Sequence, residues 1–325
     1  MEFIIADKNG IELGFFQRYQ KMDFDIGKTN DFELTIPQSA YEESVYIDNR
    51  IYAYDTEYGG IIKRHKVNTE EKTIALCGYT WRGMLANKII EPPAGTDYRV
   101  VSGEANSIIA ELINNCFDGL IIASLEKTQI TIKNYQLDRY CSILDGLQKM
   151  FKTVNAKIVI RFDMNLGCVI VGAESIVDYS DTLEYSQDQR LSFIADNYQM
   201  GVNHLICLGK GELADRQVIH LYMQKDGTVG KTQYFKGLDE IEAIYDYSSV
   251  ESIEELESEG TEKLLELANY KSLSMNINEI NAEIGDIVGG RERITGMYTK
   301  KPIINKIFRI ESRKESIEFK LEGSD

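Results

Sequence analysis

Ile284-Gly-Asp-Ile-Val-Gly-Gly290 is followed by Ile294-Thr-Gly-Met-Tyr298, Ile303-Ile-Asn-Lys-Ile-Phe-Arg-Ile310 and Ser316-Ile-Glu-Phe-Lys-Leu-Glu-Gly323. Four short segments rich in β-branched and aromatic residues, separated by turn residues, predict a small antiparallel barrel or sheet. None of the four carries a catalytic pattern. A closed β module of this kind hides its edges from unwanted pairing, which suits it to repetition in rings and tubes.

The other end of the chain reads the same way. Glu2-Phe-Ile-Ile-Ala6 and Ile11-Glu-Leu-Gly-Phe-Phe16 flank Asp7-Lys-Asn-Gly10, a hairpin loop signal. Phe32–Ile36, Arg50–Asp55, Gly60–Val67 and Thr73–Gly78 follow at short intervals, as in a barrel or sandwich. Thr80 is placed to cap a short helix, which Glu91-Pro-Pro-Ala-Gly95 ends. Between 96 and 175 the period changes. Ala105, Ile108, Ile109, Leu112 and Cys116 form a helical stripe for which Ser102 offers a cap. Ile143, Leu144, Leu147, Met150, Phe151 and Val154 form a second stripe, capped by Ser142 with Asp145 three residues on. Ala156–Phe162 and Leu166–Val171 predict a hairpin behind these helices. Leu191–Ile194, His204–Leu208 and Gln217–Met223 return to β, and 238–270 reads as acidic and helical, two short helices broken near Gly260.

The expected fold class is therefore α+β and predominantly β. The expected parts are a β-barrel-like domain at 1–95, an α+β module at 96–175, a second β-barrel-like domain from 176–237 and 271–325, and an acidic helical insertion at 238–270. The two barrel-like domains are expected to share a topology.

The 325 residues are enough for two or three cores. A net charge of −16 opposes binding to nucleic-acid phosphates and to anionic membranes. The charge is uneven. Asp239–Glu262 holds ten acidic residues and no Lys or Arg, while Arg291–Lys314 holds eight basic residues and two Glu. Two solvated faces explain this, and so do complementary patches meeting within or between subunits. Cysteines 77, 116, 141, 168 and 207 are odd in number, widely spaced and without a CxxC pair, which fits buried free thiols in a reducing compartment. The N-terminus lacks the pattern of a secretion signal, and no segment approaches the apolar length of a membrane span.

Enzyme signatures are missing. Gly227-Thr-Val-Gly-Lys-Thr232 has two residues where a phosphate loop needs four before its Gly-Lys pair, and it reads as a hairpin turn. GxGxxG, GxSxG and HExxH do not occur. Of the three histidines, His65, His204 and His220, none has a metal-type partner at a recognisable spacing. His204 and Cys207 fall on opposite faces of one strand. No catalytic, cofactor-binding or metal residue is assigned, no cofactor is called for, and no stoichiometric zinc is expected.

Three stretches carry a resemblance. The first is Gly59-Gly-Ile-Ile-Lys-Arg-His65 with Leu76-Cys-Gly-Tyr-Thr-Trp-Arg-Gly-Met-Leu-Ala86 and Ile89-Ile-Glu-Pro-Pro93. The second is Asn203-His-Leu-Ile-Cys-Leu-Gly-Lys-Gly-Glu212 with Asp215-Arg216, and the third is Ile284-Gly-Asp-Ile-Val-Gly with the strands that end at Gly323. In their order and spacing they resemble the siphophage virus-type tail-hub proteins of phages and prophages of Gram-positive bacteria. That resemblance implies a non-enzymatic baseplate hub in the virion tail, assembled in the bacterial cytoplasm. It implies a homotrimer whose two barrels per subunit make a pseudo-sixfold ring. Its partners would be the distal tail tube protein, the tape-measure protein and tail-tip or fibre proteins, with no sequence-specific nucleic acid and no membrane anchor. The end at Asp325 implies that any lytic or receptor-binding part is carried elsewhere. The alternatives are a tail-associated cell-wall hydrolase, which needs a constellation the sequence lacks, and a receptor- or carbohydrate-binding β protein, which needs an exposed aromatic cluster.

Overall fold

The computed structural model describes residues 1–41, 47–180, 192–196, 201–250, 252–268, 272–276, 282–291, 298–312 and 314–322. In chain order the strands begin with β1 (Ile4–Ala6), β2 (Glu12–Phe15), β3 (Lys21–Ile26), β4 (Asp31–Pro37), β5 (Arg50–Tyr52), β6 (Gly59–Asn68) and β7 (Thr73–Thr80). Helix α1 (Trp81–Ala86) precedes β8 (Val100–Glu104), α2 (Ala105–Ile113), β9 (Ile121–Ala123), β10 (Thr131–Gln136), α3 (Ile143–Lys152), β11 (Ala156–Asp163) and β12 (Cys168–Ser175). Then come β13 (Ser192–Asp196), β14 (His204–Leu208), β15 (Val218–Met223), β16 (Val229–Gly230), β17 (Glu242–Asp246), α4 (Ile253–Ala268), β18 (Ser272–Asn276), β19 (Ile287–Arg291), β20 (Tyr298–Glu311) and β21 (Lys314–Leu321). The chain folds as two units. The larger holds Met1–Ser192, Met275–Gly290 and Lys300–Lys320, and the smaller holds Phe193–Ser274, Arg291–Thr299 and Leu321–Asp325.

In the larger unit a sheet runs in the order β21-β20-β3-β4-β7-β6-β5-β1-β2, with β19 beside β20. Period-2 alternation sets its inner face: Met22, Phe24 and Ile26 of β3 and Phe32, Leu34 and Ile36 of β4 are buried. The distal strands do not form a sheet apart from residues 1–95, because β20 pairs with β3 in antiparallel register. Phe308 lies opposite Phe24, and Phe24 opposite Phe32. The cross-strand row buries three aromatic rings together, with Phe24 and Phe32 5.4 Å apart between centroids and Phe24 and Phe308 6.4 Å apart. On the outer face the register sets Arg309 against Asp23, at 3.0 Å. This pairing is specified by residues nearly 300 positions apart and leaves no local trace in the sequence.

The α+β module is more local. Its sheet runs β11-β12-β9, the hairpin β11–β12 being antiparallel as expected, whereas β9 joins parallel to β12. An additional antiparallel pair, β8–β10, precedes α3. Ser142 Oγ caps α3 by accepting from Asp145 N at 3.0 Å. Ser102, however, does not cap α2. It lies within β8, and its hydroxyl bonds Asn134. The cap is Glu104, whose longer side chain reaches Asn106 N (3.2 Å) and Ser107 N (2.9 Å), and also the N–H (2.9 Å) and hydroxyl (2.6 Å) of Thr128. Burial alone raises this carboxyl. The Thr128 hydroxyl and N–H, with the α2 N–H groups, outweigh it and hold the group down at about 2.

In the smaller unit the four-stranded sheet runs β16-β15-β14-β17. Here the expected acidic helical segment divides differently. Glu242–Asp246 is a strand parallel to β14, and α4 is one helix that continues through Gly260. Its buried stripe is Leu256, Gly260, Leu264 and Ala268, one residue per turn. A Cβ on Gly260 would stand 2.6 Å from Cys207 Sγ and 2.9 Å from Leu221 Cδ1, so the glycine is an approach point of helix to sheet, not a break.

Gly260→Ala is expected to lower stability by about 1–3 kcal/mol through overpacking, in spite of alanine's better helix propensity. Adding Cys207→Ala should restore part of the loss in a urea titration. The Glu104 cap contributes fully above the ordinary carboxyl value of 4.5, and its contribution declines as pH falls towards about 2. Glu104→Gln should therefore cost about 1 kcal/mol at neutral pH. The gap to the wild-type chain should narrow as the medium is taken down to about pH 3.

Candidate functional site

The smaller sheet has two unlike faces. Leu205, Cys207, Leu221 and Met223 are buried and pack with Leu256, Leu264 and Ala268 of α4. The alternate residues face the other way. Register places His204 beside Tyr222 on one neighbour and Glu242 on the other, and Ile206 beside His220 and Ile244. On this second face Val218, His220, Glu242 and Ile244 are exposed.

His204 anchors a polar cluster at one end of that face. Its Nδ1 lies 2.8 Å from Glu240 Oε1 and 2.9 Å from Glu242 Oε1, and its Nε2 lies 2.8 Å from His220 Nδ1. The Tyr222 ring stacks on the imidazole with centroids 4.4 Å apart. The His204 side chain is 7% exposed, while the carboxylate side chains of Glu240 and Glu242 are 23% and 56% exposed. Gln233 Nε2 donates to Glu240 Oε1 at 2.6 Å. The backbone leading into β17 is fixed by Asn203, which is buried. Its Nδ2 donates to Asp239 O at 2.6 Å, and its Oδ1 accepts from Ile241 N at 2.9 Å. Asn203 and His204 in turn send their N–H groups to Ile241 O. The amide side chain thus holds 239–241 as if it were a further strand residue, and this sets both glutamates beside the ring.

The sequence reading gave His204 no metal-type neighbour. The structure supplies one from a parallel strand: His204, Glu240 and Glu242 present ligand atoms within 4.8 Å of one another. The strand Glu242–Asp246 sets Glu242 beside His204, and the turn before it, held by Asn203, brings Glu240 to the same nitrogen. His204 and Cys207 do lie on opposite faces, as expected. His65 is remote from the cluster along the chain and sits on β6, with Tyr41 edge-on at 5.8 Å.

Other candidate features resolve more simply. Gly227 lies in the β15–β16 turn, its N–H donating to Gln224 O, and Val229–Gly230 of the same stretch is β16 itself. In the basic segment, Lys300 pairs with Asp178 at 2.5 Å, Lys306 with Glu283 at 3.1 Å, and Arg309 with Asp23 and Glu318. These described pairs lie within the larger unit and do not use the acidic 239–262 segment. Residues 292–297, including Arg293, and the side chain of Arg291 lie outside what is described. A pocket of about 170 Å³ in the α+β module has a mixed lining that includes Asn106, Thr128, Val159, Arg161, Ile170 and Glu174. Among the described residues, no helix is long and apolar enough to cross a membrane.

Comparison with known proteins bears on the fold. No family model and no curated protein matches the sequence. Among solved structures, the 43 kDa tail protein of prophage MuSo2 from Shewanella oneidensis is similar over 100% of this chain and 99% of its own, at 10% identity and a TM-score of 0.55. A tail protein from Neisseria meningitidis MC58 is similar over 99% of this chain and 96% of its own, at 12% identity and a TM-score of 0.51. The chain has the fold of prophage tail proteins. At these identities the likeness extends to the fold and no further.

Replacing Asn203 by Leu should free the 239–241 segment while keeping the side-chain volume. We expect a loss of about 1–3 kcal/mol from the unsatisfied backbone groups. Hydrogen exchange at the Ile241 amide, followed by NMR or mass spectrometry, should accelerate. Unchanged exchange there would show that Asn203 is not the clamp.

Proposed function

We propose that this protein is a structural, non-enzymatic component of a phage or prophage tail, and within the tail a hub at the distal end of the tube. The observation that carries the reading is the end-to-end correspondence of its fold with the Shewanella tail protein, with almost nothing left over in either chain. The virion tail is the proposed location. The proposed partners are a distal tail tube protein, a tape-measure protein and tip or fibre proteins.

A homotrimeric ring is the assembly we infer, with two β-barrel-like regions per subunit arranged around a channel. The support in this chain is an edge. Among the described residues strand β2 ends the sheet of the larger unit, with one side of its backbone facing no described strand. Ile11, Leu13 and Phe15 are 64%, 47% and 57% exposed along it. An apolar, exposed edge strand is a liability in a free monomer and a natural lateral contact in an assembly. The acidic surface keeps free chains apart by repulsion until several weak contacts add together. Charge reversal at Lys300 is a poor probe of assembly, because it would break the internal pair with Asp178. The edge is a cleaner one.

Particles induced from a host carrying a tagged chain should show the label at the distal end of the tail, on its axis. Leu13→Glu with Phe15→Glu should leave a folded, soluble chain that is sharply depleted from particles. A label away from the axis, or full incorporation of the double variant, would overturn the ring. Release of muropeptides from purified cell walls by the isolated chain would favour the hydrolase reading, and saturable binding to intact walls would favour the receptor-binding one.

A further inference from the structure

We propose that the open face of the smaller unit holds one divalent transition-metal ion, ligated by His204 Nδ1 and one oxygen each from Glu240 and Glu242, with His220 as the outer partner of His204. The site is independent of the tail reading, since it rests on the side chains of one sheet.

Charge is the first reason. Glu240 and Glu242 converge on one imidazole nitrogen at 2.8 and 2.9 Å. Among the described residues no Lys or Arg forms an ion pair with either carboxylate. Two carboxylates opposite one imidazole leave the cluster negative even when the ring is protonated. A divalent ion with a neutral imidazole balances it.

The ring's other nitrogen is the second reason. A metal-bound imidazole characteristically gives its remaining N–H to a fixed acceptor, which selects the tautomer and the ring orientation. His204 Nε2 lies 2.8 Å from His220 Nδ1, and in the tautomer that donates Nε2–H to His220 the Nδ1 lone pair faces Glu240 and Glu242. A lone pair facing two carboxylate oxygens is repulsive unless a cation lies between them. The Tyr222 ring and burial hold the imidazole in that plane.

Geometry decides what has to move. Ligand bonds of about 2.0–2.2 Å around one ion set the donors somewhat more than 3 Å apart. The present 2.8–2.9 Å separations must therefore open by a few tenths of an ångström. The Glu242 side chain is 56% exposed and free to withdraw, and His204 stays in place. One nitrogen and two carboxylate oxygens form a donor set for Zn²⁺, Mn²⁺ or Fe²⁺. Three protein ligands leave at least one position for water on the open face. The expectation of no stoichiometric zinc rested on His204 standing alone on its strand, and the parallel neighbour β17 removes that premise.

The test uses the full chain, purified without a nickel column or chelator, and metal content by plasma mass spectrometry. Chain stripped with EDTA and dialysed is then titrated with Zn²⁺ and with Mn²⁺ by calorimetry. One ion should bind per chain. His204→Ala should abolish binding, and Glu242→Gln, at an exposed position that leaves the fold intact by circular dichroism, should weaken it at least about tenfold. His220→Ala should weaken it by about 10- to 100-fold, as loss of an outer partner does. Wild-type chain that takes up no more metal than His204→Ala would overturn the proposal. So would Glu242→Gln binding as tightly as wild type. A His204 ring that stays protonated on both nitrogens when the stripped chain is titrated, read from its side-chain ¹⁵N shifts, would assign the place between the carboxylates to a proton instead.

Discussion

A single buried carboxylate fastens the end of the chain to its middle. Asp286 has no exposed surface, and neither of its oxygens is left without a donor. Oδ2 receives Lys157 Nζ at 2.6 Å and Glu283 N at 2.9 Å, and Oδ1 receives Val177 N at 2.8 Å. Asp286 is the acid of Ile-Gly-Asp-Ile, and the turn that presents it needs Gly285 at φ +100°, with Gly285 N closing on Ile303 O. A charge this deep is tolerated because its partner and its backbone donors all arrive together. A second enclosed pair, Arg82 with Glu57 at 2.6 and 3.1 Å, joins α1 to the loop before β6, and Arg82 also donates to Ile158 O. Lys157 and Ile158 are neighbours on β11, so both pairs converge on one strand. Each pair adds little net energy, yet loss of one member would strand a charge at a cost of about 3–5 kcal/mol. Their effect is therefore on which arrangement forms. Positions 57, 82, 157 and 286 must come together before either charge is balanced.

Close to those anchors, much of the fold could be read from the residues in order. The Asp7–Gly10 hairpin, the Thr80 and Ser142 caps and the β11–β12 hairpin depend on nearby residues and lie where the pattern put them, and the strands between Phe32 and Gly78 also lie where the alternation put them, although Phe32 of β4 finds its partner Gly78 far along the chain. What was illegible depended on distant chain. β20 reads as a strand, but nothing local says that its partner is β3. That choice comes from the row Phe308, Phe24, Phe32 and from Arg309 meeting Asp23. β9, three residues long, carries no local pattern of its own and is defined by its parallel pairing with β12. Ser102 looks like a cap because its type is right, and Glu104 is the cap because Thr128, from further along the chain, adds two donors to the same carboxylate.

The acidic segment misled for a related reason. Glu242-Ala-Ile-Tyr-Asp246 carries acids at both ends, and surrounding charge made a solvated helix the natural reading. In the fold those acids sit where a parallel strand points them, one of them beside His204. Gly260, which reads as a helix break, is where α4 lies closest to the sheet. Both errors came from treating as local what the neighbouring strand decides, and they hid the candidate site. His204 and His220 are visible in the sequence, but of the carboxylates that give them a chemical setting Glu242 belongs to β17, which the sequence presents as helix, and Glu240 to the turn that leads into it.

The distribution of charge and apolar surface follows one rule in this chain. Among the described residues of the distal segment, Lys300, Lys306 and Arg309 meet acids in pairs inside the larger unit and so help to hold their own strand in place. Lys300 is one such case: its bond to Asp178, together with those from Ser180, pulls that carboxyl down to about 2 and hence keeps it ionised at neutral pH. The net negative charge is then left on the outside, unmatched. A chain built this way has poor means of attracting a copy of itself at long range, and its remaining means are short-range: an unpaired strand edge with Ile11, Leu13 and Phe15 along it. Contacts of that type act only at close approach and add up only when several form together. Those properties suit the assembly proposed above, in which copies stay dispersed until a scaffold brings them side by side.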